Sequence, residues 1–355
     1  MTEPFAPLDA YGWNPRWEAL FAQAVDDRGP RDELTPGRVV RHDGVAVLVA
    51  GLGGIRQLPV FATVDPPPVV GDWVVCARDA VVALLDRTSL LRRRDPGRPV
   101  EQPLVANVDV VLVVCGLDRP VRAGRIRRAV ATAFDAPAEP VVVLAKADRV
   151  DDQATLDAAV EVAAEAGTGL DVIVTSVVTG QGVDTLRDRS ADRTIVLLGE
   201  SGAGKSSLTN ALVGADVAVV GAVRATDTKG RHTTTTREIH LLPSGGVLVD
   251  TPGVRALGLW TDPEAVAATF DDLEELAESC HFSDCRHQGE PGCAVALAVA
   301  AGEVSPARLE AWLTLRREAE SLVRRSDPPA DRAHGRRFSR VTKDAQRRKY
   351  RPEQD

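Results

Sequence analysis

Residues 199–206 have the residue types and the spacing of a phosphate-binding loop. They read Gly-Glu-Ser-Gly-Ala-Gly-Lys-Ser and match the pattern G-x-x-x-x-G-K-[S/T]. The glycines allow backbone N–H groups to point at phosphate oxygens, Lys205 can reach the β- and γ-phosphates, and the Ser206 hydroxyl can bind Mg²⁺. We therefore predict a nucleoside triphosphate site. Its phosphate-binding residues are Gly199, Glu200, Ser201, Gly202, Ala203, Gly204, Lys205, Ser206 and Ser207.

Residues 250–253, Asp-Thr-Pro-Gly, follow the apolar run 247–249 and predict a second contact with the phosphates. Asp250 can hold Mg²⁺, and Gly253 allows a backbone N–H group to approach the γ-phosphate. Taken alone, the segment could equally be an ordinary Pro-Gly turn. The phosphate-binding loop in the same chain favours the interpretation as a phosphate contact.

Residues 145–148, Ala-Lys-Ala-Asp, follow the apolar run 141–144 and predict recognition of guanine. The carboxylate of Asp148 can accept two hydrogen bonds from the N1–H and N2–H₂ groups of guanine, which adenine cannot supply. Lys146 can pack its stem along the base, and the backbone at Ser176 can meet the guanine O6. The expected ligands are GTP and GDP with Mg²⁺.

The order of these segments differs from that of a Ras-like GTPase. The base-reading segments 145–148 and 176–177 come before the phosphate-binding loop instead of after it. Such a circular permutation keeps every loop at the same edge of the sheet, because ligands bind at the carboxyl ends of parallel strands. The apolar runs between residues 108 and 254 alternate with helical patterns. They predict an α/β fold whose parallel sheet is covered on both faces.

Residues 230–236 lie where a GTPase keeps its first switch segment. A threonine there can close on Mg²⁺ and the γ-phosphate, and Thr234 is our choice among 233–235. Val254 occupies the position where Ras-like enzymes keep a glutamine that orients water, and an aliphatic side chain cannot do this. We therefore predict His232 and Lys205 as the catalytic residues, although His232 could be an ordinary loop histidine.

Four metal-binding side chains are clustered near the C-terminal end in the order C-x₄-C-x-H-x₅-C. Three thiolates and one imidazole form a closed tetrahedral shell, which suits a structural zinc ion. The ligands of this predicted Zn²⁺ site are Cys280, Cys285, His287 and Cys293. We interpret the other two cysteines, Cys76 and Cys115, as inert core residues because they lie inside apolar strands.

The pattern of elements predicts five segments. Residues 1–33 form a helical or irregular extension with one helix over 16–25, and 34–99 form a small β-barrel of the OB type, with an SH3-like barrel as the alternative. Residues 100–260 form the circularly permuted GTPase domain. Residues 261–326 form a helical zinc-binding domain, and 327–355 form a basic tail that is disordered when free.

The composition favours a globular cytoplasmic protein. The chain has 355 residues with a net charge of −8, five cysteines, no signal-peptide pattern and no apolar run long enough to cross a membrane. Two basic clusters nevertheless indicate a polyanionic partner, because local charge governs phosphate binding. The first cluster is Arg87, Arg92, Arg93, Arg94 and Arg98, and the second is the tail 332–351.

The chain resembles one bacterial family, the circularly permuted GTPases that depend on the small ribosomal subunit (the RsgA or YjeQ family). The resemblance rests on the permuted order, on Gly-Arg-His-Thr-Thr-Thr at 230–235 and on the cysteine and histidine spacing. In the barrel it includes Val-Gly-Asp at 70–72 and Arg-x-Ser-Leu at 87–90. One departure is Ala145, where the family usually has asparagine.

The resemblance implies a function as well as a fold. The protein would act late in the maturation of the small ribosomal subunit, contact its rRNA, and hydrolyse GTP with stimulation by the subunit to drive release. It also implies that the histidine of the switch, here His232, takes part in catalysis. We expect a monomer without a membrane partner. The alternative is a GTP-gated RNA-binding scaffold with negligible hydrolysis.

Overall fold

The described part of the chain begins with helices packed on a barrel. A computed structural model describes residues 6–27, 34–43, 46–94, 101–167, 169–214, 237–250, 266–267 and 269–326. Helices α1 (Ala6–Asp9) and α2 (Pro15–Asp26) come first, and α2 confirms the helix predicted over 16–25. The side chain of Asn14 caps α2 by accepting hydrogen bonds from the N–H groups of Arg16 and Trp17. Trp17 then packs on Trp73 of the barrel.

Five antiparallel strands form the barrel. They are β1 (Thr35–His42), β2 (Ala46–Gly51), β3 (Gly54–Pro59), β4 (Trp73–Cys76) and β5 (Val81–Leu84). Strand β1 pairs with both β2 and β4, β2 pairs with β3, and β4 pairs with β5. Val60, directly after β3, bridges to Val81 on β5, so the path of strands closes on itself. This closed five-stranded path agrees with the predicted OB-type barrel.

A two-stranded antiparallel sheet follows the barrel. It consists of β6 (Leu90–Arg94) and β7 (Glu101–Ala106), and it spans the predicted boundary between residues 99 and 100. The apolar side chains of Leu91, Leu104 and Val105 are buried in the same core as Val111 and Val113, which belong to the central sheet described next. The sequence patterns did not predict this hairpin.

The central part of the sheet has five parallel strands and a sixth strand that is antiparallel to them. The strands are β8 (Val110–Gly116), β9 (Glu139–Ala145), β10 (Asp171–Thr175), β11 (Thr194–Gly199), β12 (Glu238–Leu241) and β13 (Val247–Asp250). Their order is β10-β9-β8-β11-β13-β12, with β12 antiparallel to β13. The predicted parallel sheet is therefore confirmed. Strand β12 continues the sheet into the barrel by pairing with β1 at Arg41 and Glu238.

Helices cover both faces of this sheet, as predicted. They are α3 (Ala123–Asp135), α4 (Gln153–Ala164), α5 (Val183–Ser190) and α6 (Lys205–Val213). Successive side chains of a strand point to opposite faces. Thus Val111 and Val113 of β8 pack in the same core as α3 and α4, whereas Val110 and Leu112 pack with α5 and α6.

Three longer helices are described in the C-terminal region, and the last of them contacts the central domain. They are α7 (Asp271–Glu278), α8 (Ala294–Ala301) and α9 (Pro306–Ser326). Arg308 of α9 donates hydrogen bonds to both carboxylate oxygens of Asp272, at 2.6 and 2.9 Å, and to the carbonyl oxygen of Glu165 after α4. Among the described helices, none combines the length with the apolar character that crossing a membrane requires.

Candidate functional site

The candidate nucleotide site lies between β8 and β11, where the direction in which the chain adds strands to the sheet reverses. From β8 the chain proceeds outward through β9 to β10, and from β11 it proceeds to the other side. Loops after the adjacent strands β8 and β11 therefore diverge and leave a crevice at their carboxyl ends. The phosphate-binding loop predicted from the sequence follows β11 directly, so the fold places it in this crevice.

The phosphate-binding loop depends on glycine at positions where a side chain does not fit. A Cβ atom on Gly199 would lie 2.3 Å from the carbonyl oxygen of Val114 on β8. Gly202 and Gly204 adopt left-handed backbone angles, with φ of 78° and 108°. Helix α6 then begins at Lys205, so its N-terminal N–H groups face the crevice, as phosphate binding requires.

Lys205 lies inside the loop that it is predicted to serve. Its Nζ atom donates hydrogen bonds to the carbonyl oxygens of Gly199 at 2.8 Å and Glu200 at 2.7 Å. The loop therefore holds an ammonium group at its centre. Ser206 and Ser207, in the first turn of α6, are exposed and accessible to a ligand.

The two base-reading loops meet side by side. Strands β9 and β10 are parallel, with Ala145 opposite Thr175, so both loops leave the same edge of the sheet. Asp148, in a short 3-10 helix (Ala147–Arg149), accepts a hydrogen bond of 2.6 Å from the hydroxyl of Ser176. The two predicted guanine-reading elements are thus in direct contact.

Lys146 connects the base-reading loop to the phosphate-binding loop. Its Nζ atom donates hydrogen bonds to the carbonyl oxygen of Gly202 at 2.5 Å and to the carboxylate of Asp118 at 2.8 Å. Its backbone is left-handed, with φ of 66°, which is strained for a residue other than glycine. The buried Ala145 before it packs in the same core as Ala203 of the phosphate-binding loop.

Asp118 is a site residue that the sequence patterns missed. It lies two residues beyond the end of β8, and it accepts hydrogen bonds from Arg119 and from Lys146. These two bonds lower the pKa of Asp118 to about 2. The signal that could have revealed it is simple, because a polar residue after a parallel strand reaches the same sheet edge as the other loops.

Asp250 ends β13, the strand on the other side of β11. The parallel pairing of Val196 with Val249 puts the ends of β11 and β13 at the same edge of the sheet, where Mg²⁺ binding is predicted. Three further predicted site residues, His232, Thr234 and Gly253, lie outside the described residues. Their roles remain predictions.

The second candidate site is the cluster of three cysteines and one histidine. The ligand atoms of Cys280, Cys285, His287 and Cys293 all lie within 4.8 Å of one another. The Nδ1 atom of His287 is 3.6 Å from the sulfur atoms of Cys280 and Cys293, which are 3.9 Å apart. A tetrahedral zinc ion would place two sulfurs about 3.8 Å apart and a sulfur and a nitrogen about 3.6 Å apart. The cluster therefore fits Zn²⁺.

The surroundings of the cluster favour the thiolate of Cys280 and fix the histidine. Cys293 is the N-cap of α8, and its sulfur accepts the N–H group of Ala296 at 3.4 Å. Although burial opposes ionisation of Cys280, N–H groups at the start of α8 outweigh it and lower the pKa of that thiol. The ring of His287 packs on Trp312 of α9 with centroids 4.9 Å apart. The cluster thus joins the loop before α8 to the longest helix of this region.

Two arginines of the first basic cluster form ion pairs within the molecule. Arg87 donates two hydrogen bonds of 2.8 Å to the buried carboxylate of Asp72. Arg92 likewise pairs with Asp135 at the end of α3, at 2.7 Å. Their charges are therefore compensated within the molecule, and binding of a polyanion by the rest of the cluster stays a prediction. The Arg87–Asp72 pair brings the segments 70–72 and 87–90 into contact, since each segment contributes one residue of the pair.

Comparison with known proteins agrees with this architecture. Residues 84–260 match the family model described as RsgA GTPase. The chain is 43% identical over 330 residues to the small ribosomal subunit biogenesis GTPase RsgA of Streptomyces avermitilis, covering 90% of this chain and 88% of that protein. It is 42% identical over 332 residues to the protein of that name from Streptomyces coelicolor, covering 91% and 89%.

Solved structures show the same fold. The crystal structure of YjeQ from Thermotoga maritima matches with a TM-score of 0.61 and 27% identity, covering 81% of this chain and 99% of that chain. The structure of YloQ, described as a circularly permuted GTPase, matches with a TM-score of 0.58 and 26% identity, covering 82% and 96%. The chain therefore belongs to the RsgA family of small ribosomal subunit biogenesis GTPases and has the circularly permuted GTPase fold.

Proposed function

We propose that this protein binds the small ribosomal subunit late in its maturation and hydrolyses GTP there, with stimulation by the subunit, in order to dissociate from it. The observation that carries the proposal is the contact of Lys146 with Gly202, because it joins a guanine-reading loop to a phosphate-binding loop. The relatives that cover about nine-tenths of the chain are named for biogenesis of that subunit. This supports the choice of partner.

The base is read by Asp148 and positioned by its neighbours. The carboxylate of Asp148 accepts the N1–H and N2–H₂ groups of guanine, and the Ser176 hydroxyl orients that carboxylate through its 2.6 Å hydrogen bond. Lys146 holds its stem along the base while its ammonium group remains bound to Asp118 and Gly202. This arrangement selects GTP and GDP over adenine nucleotides.

The phosphates are bound by the loop and by its lysine. Lys205 exchanges its hydrogen bonds with the Gly199 and Glu200 carbonyl groups for the β- and γ-phosphates. Ser206 and Asp250, together with Thr234, would hold Mg²⁺, which would supply positive charge to the phosphates. Gly253 contacts the γ-phosphate through its N–H group. In this proposal His232, and not residue 254, positions the attacking water.

The zinc site gives the C-terminal helices a fixed shape. The four ligands leave no open position for a substrate, so the ion is structural and not catalytic. The domain boundaries at residues 33, 99, 260 and 326, a monomeric state and a cytoplasmic location are parts of the same proposal. We assign the rRNA contacts to Arg93, Arg94, Arg98 and the tail 332–351, since Arg87 and Arg92 are paired with carboxylates.

Steady-state GTP hydrolysis with and without purified small ribosomal subunits tests the proposal. Stimulation of tenfold or more, which corresponds to about 1.4 kcal/mol of barrier, is expected. Large subunits and ATP are the controls for partner and nucleotide, and Lys205→Ala is the control for contaminating activity. If the protein binds the subunit without any stimulation, the GTP-gated scaffold replaces the enzyme as the better explanation.

A further inference from the structure

Glu200 places a carboxylate in the phosphate-binding loop. It is the second residue of the phosphate-binding loop, and its own carbonyl oxygen accepts the Lys205 ammonium group at 2.7 Å. Its carboxylate thus belongs to the same loop as the ammonium group that is proposed to bind the phosphates. An uncompensated negative charge within a Debye length of about 8 Å repels a triphosphate.

Arg125 compensates this charge from a different element. It lies in the first turn of α3, and its guanidinium group forms an ion pair with the carboxylate of Glu200. Both residues line a cavity of about 240 Å³ between α3 and the phosphate-binding loop, with Val113 and Ile126 among its apolar lining residues. The two side chains remain about 40% exposed. The pair is thus accessible to solvent and modest as a source of folding stability.

The start of α3 adds to the attraction for the Glu200 carboxylate. The first turn of α3 contains no acidic residue, and its N-cap, Arg122, makes no side-chain capping hydrogen bond. The N-terminus of a helix carries a partial positive charge that anionic groups stabilise. Glu200 supplies an anion there from outside the helix, while Arg125 adds a full positive charge. Both effects draw the carboxylate toward α3.

We propose that Arg125 is a positioning residue for nucleotide binding, which holds the carboxylate of Glu200 on α3 and neutralises it. This inference rests on the proposed binding of GTP to the phosphate-binding loop. Without Arg125, the carboxylate loses its ion-pair partner, although Arg119 in the same cavity still attracts it, and it opposes the phosphates. The effect is larger for GTP than for GDP, because GTP has more negative charge.

The same helix provides a matched control. Arg128, one turn after Arg125, donates two hydrogen bonds of 3.0 Å to the carboxylate of Glu318 on α9. It is an arginine of α3 in a partly exposed ion pair, but its partner belongs to the C-terminal helices. Arg128 lines the same cavity, but its ion-pair partner is Glu318 and not Glu200, so its loss leaves the Arg125–Glu200 pair in place.

Equilibrium binding of fluorescent GTP and GDP to the full-length protein tests the proposal. Arg125→Gln is expected to weaken GTP binding five- to tenfold and GDP binding less, and 500 mM salt should reduce the loss relative to 50 mM. Glu200→Gln should tighten GTP binding, and adding it to Arg125→Gln should recover most of the loss. Arg128→Gln and the charge-conserving Arg125→Lys should bind GTP as the wild type does.

The outcomes separate this inference from the proposed function. If the wild type binds no GTP, both proposals are wrong. If the wild type binds GTP and Arg125→Gln binds it equally well, or if Glu200→Gln fails to recover the loss, only the role of Arg125 is wrong. Should Arg125→Gln lower the Tm, the single variant Glu200→Gln remains decisive, because weaker GTP binding by that variant contradicts a repulsive carboxylate.

Discussion

The Nζ atom of Lys146 lies 2.5 Å from the carbonyl oxygen of Gly202. These residues belong to two loops that are 56 residues apart in sequence, one predicted to read the base and the other to bind the phosphates. Because one side chain spans both, the spacing between a base pocket and a phosphate pocket is set before any ligand arrives. Such preorganisation lowers the entropy lost on binding.

Asp148→Asn should shift nucleotide preference from GTP toward xanthosine triphosphate. An asparagine amide can donate to the extra carbonyl of xanthine but cannot accept both guanine N–H groups. We expect GTP affinity to fall by about tenfold to a hundredfold, the loss typical of hydrogen bonds to a charged group. Competition binding with both nucleotides measures the shift, and the exposed neighbour Asp151→Asn is the control. Unchanged preference for GTP would mean that another residue reads the base.

Asp118→Ala should weaken GTP binding by a smaller factor, about two- to fivefold. The Asp118–Lys146 pair is partly exposed, and such pairs contribute about 0–1 kcal/mol. Because the pKa of Asp118 is lowered to about 2, the carboxylate is charged above pH 4 and its contribution is lost only at lower pH. The difference between wild type and variant should therefore be constant from pH 5 to 9. Asp184→Asn, in an exposed pair on α5, is the control.

His232→Ala should lower kcat and leave GTP affinity nearly intact. A group that acts only in the transition state changes kcat without changing ground-state binding. Steady-state kinetics in the presence of small ribosomal subunits, combined with equilibrium GTP binding, separate the two effects. An unchanged stimulated rate would remove His232 from the mechanism.

Zinc removal should expose three cysteines and leave two protected. Burial raises the pKa values of Cys76 and Cys115 to about 11, so only about one in a thousand of these thiols is ionised at pH 8. Chelation under mild denaturant should allow alkylation of Cys280, Cys285 and Cys293 and unfold residues 269–326 first. Mass spectrometry of alkylated peptides locates the labels. Equal labelling before and after chelation would contradict a structural zinc site.

Asp72→Asn should destabilise the protein by about 3 kcal/mol, because removing one partner of a buried ion pair leaves the other uncompensated. Asp72 also accepts the N–H group of Val69 at 2.7 Å, so the loss affects the turn before β4 as well as Arg87. Chemical denaturation measures the free energy of unfolding. The matched control is Asp43→Asn, whose pair with Arg41 is exposed and should contribute less than about 1 kcal/mol.

Local patterns in the sequence predicted the elements that carry their own signal. The phosphate-binding loop, the apolar parallel strands and the spacing of the cysteines are each contained in short segments. The apolar runs that precede Gly199, Ala145 and Asp250 became strands with their loops at one edge. This follows because parallel strands separated by helices leave few alternative arrangements.

Contacts between distant segments depended on the tertiary structure. Strands β6, β7 and β12 are stabilised by pairing with other strands, and short strands have weak intrinsic propensity. The ion pairs of the arginines at 87, 92 and 125 also depended on the tertiary structure. These arginines look alike in sequence but pair with Asp72, Asp135 and Glu200. The sequence by itself determined which chemical groups are present and at which strand ends they lie. Only the tertiary structure decided which charges are neutralised, because an ion pair depends on a distance of a few ångströms that sequence separation does not specify.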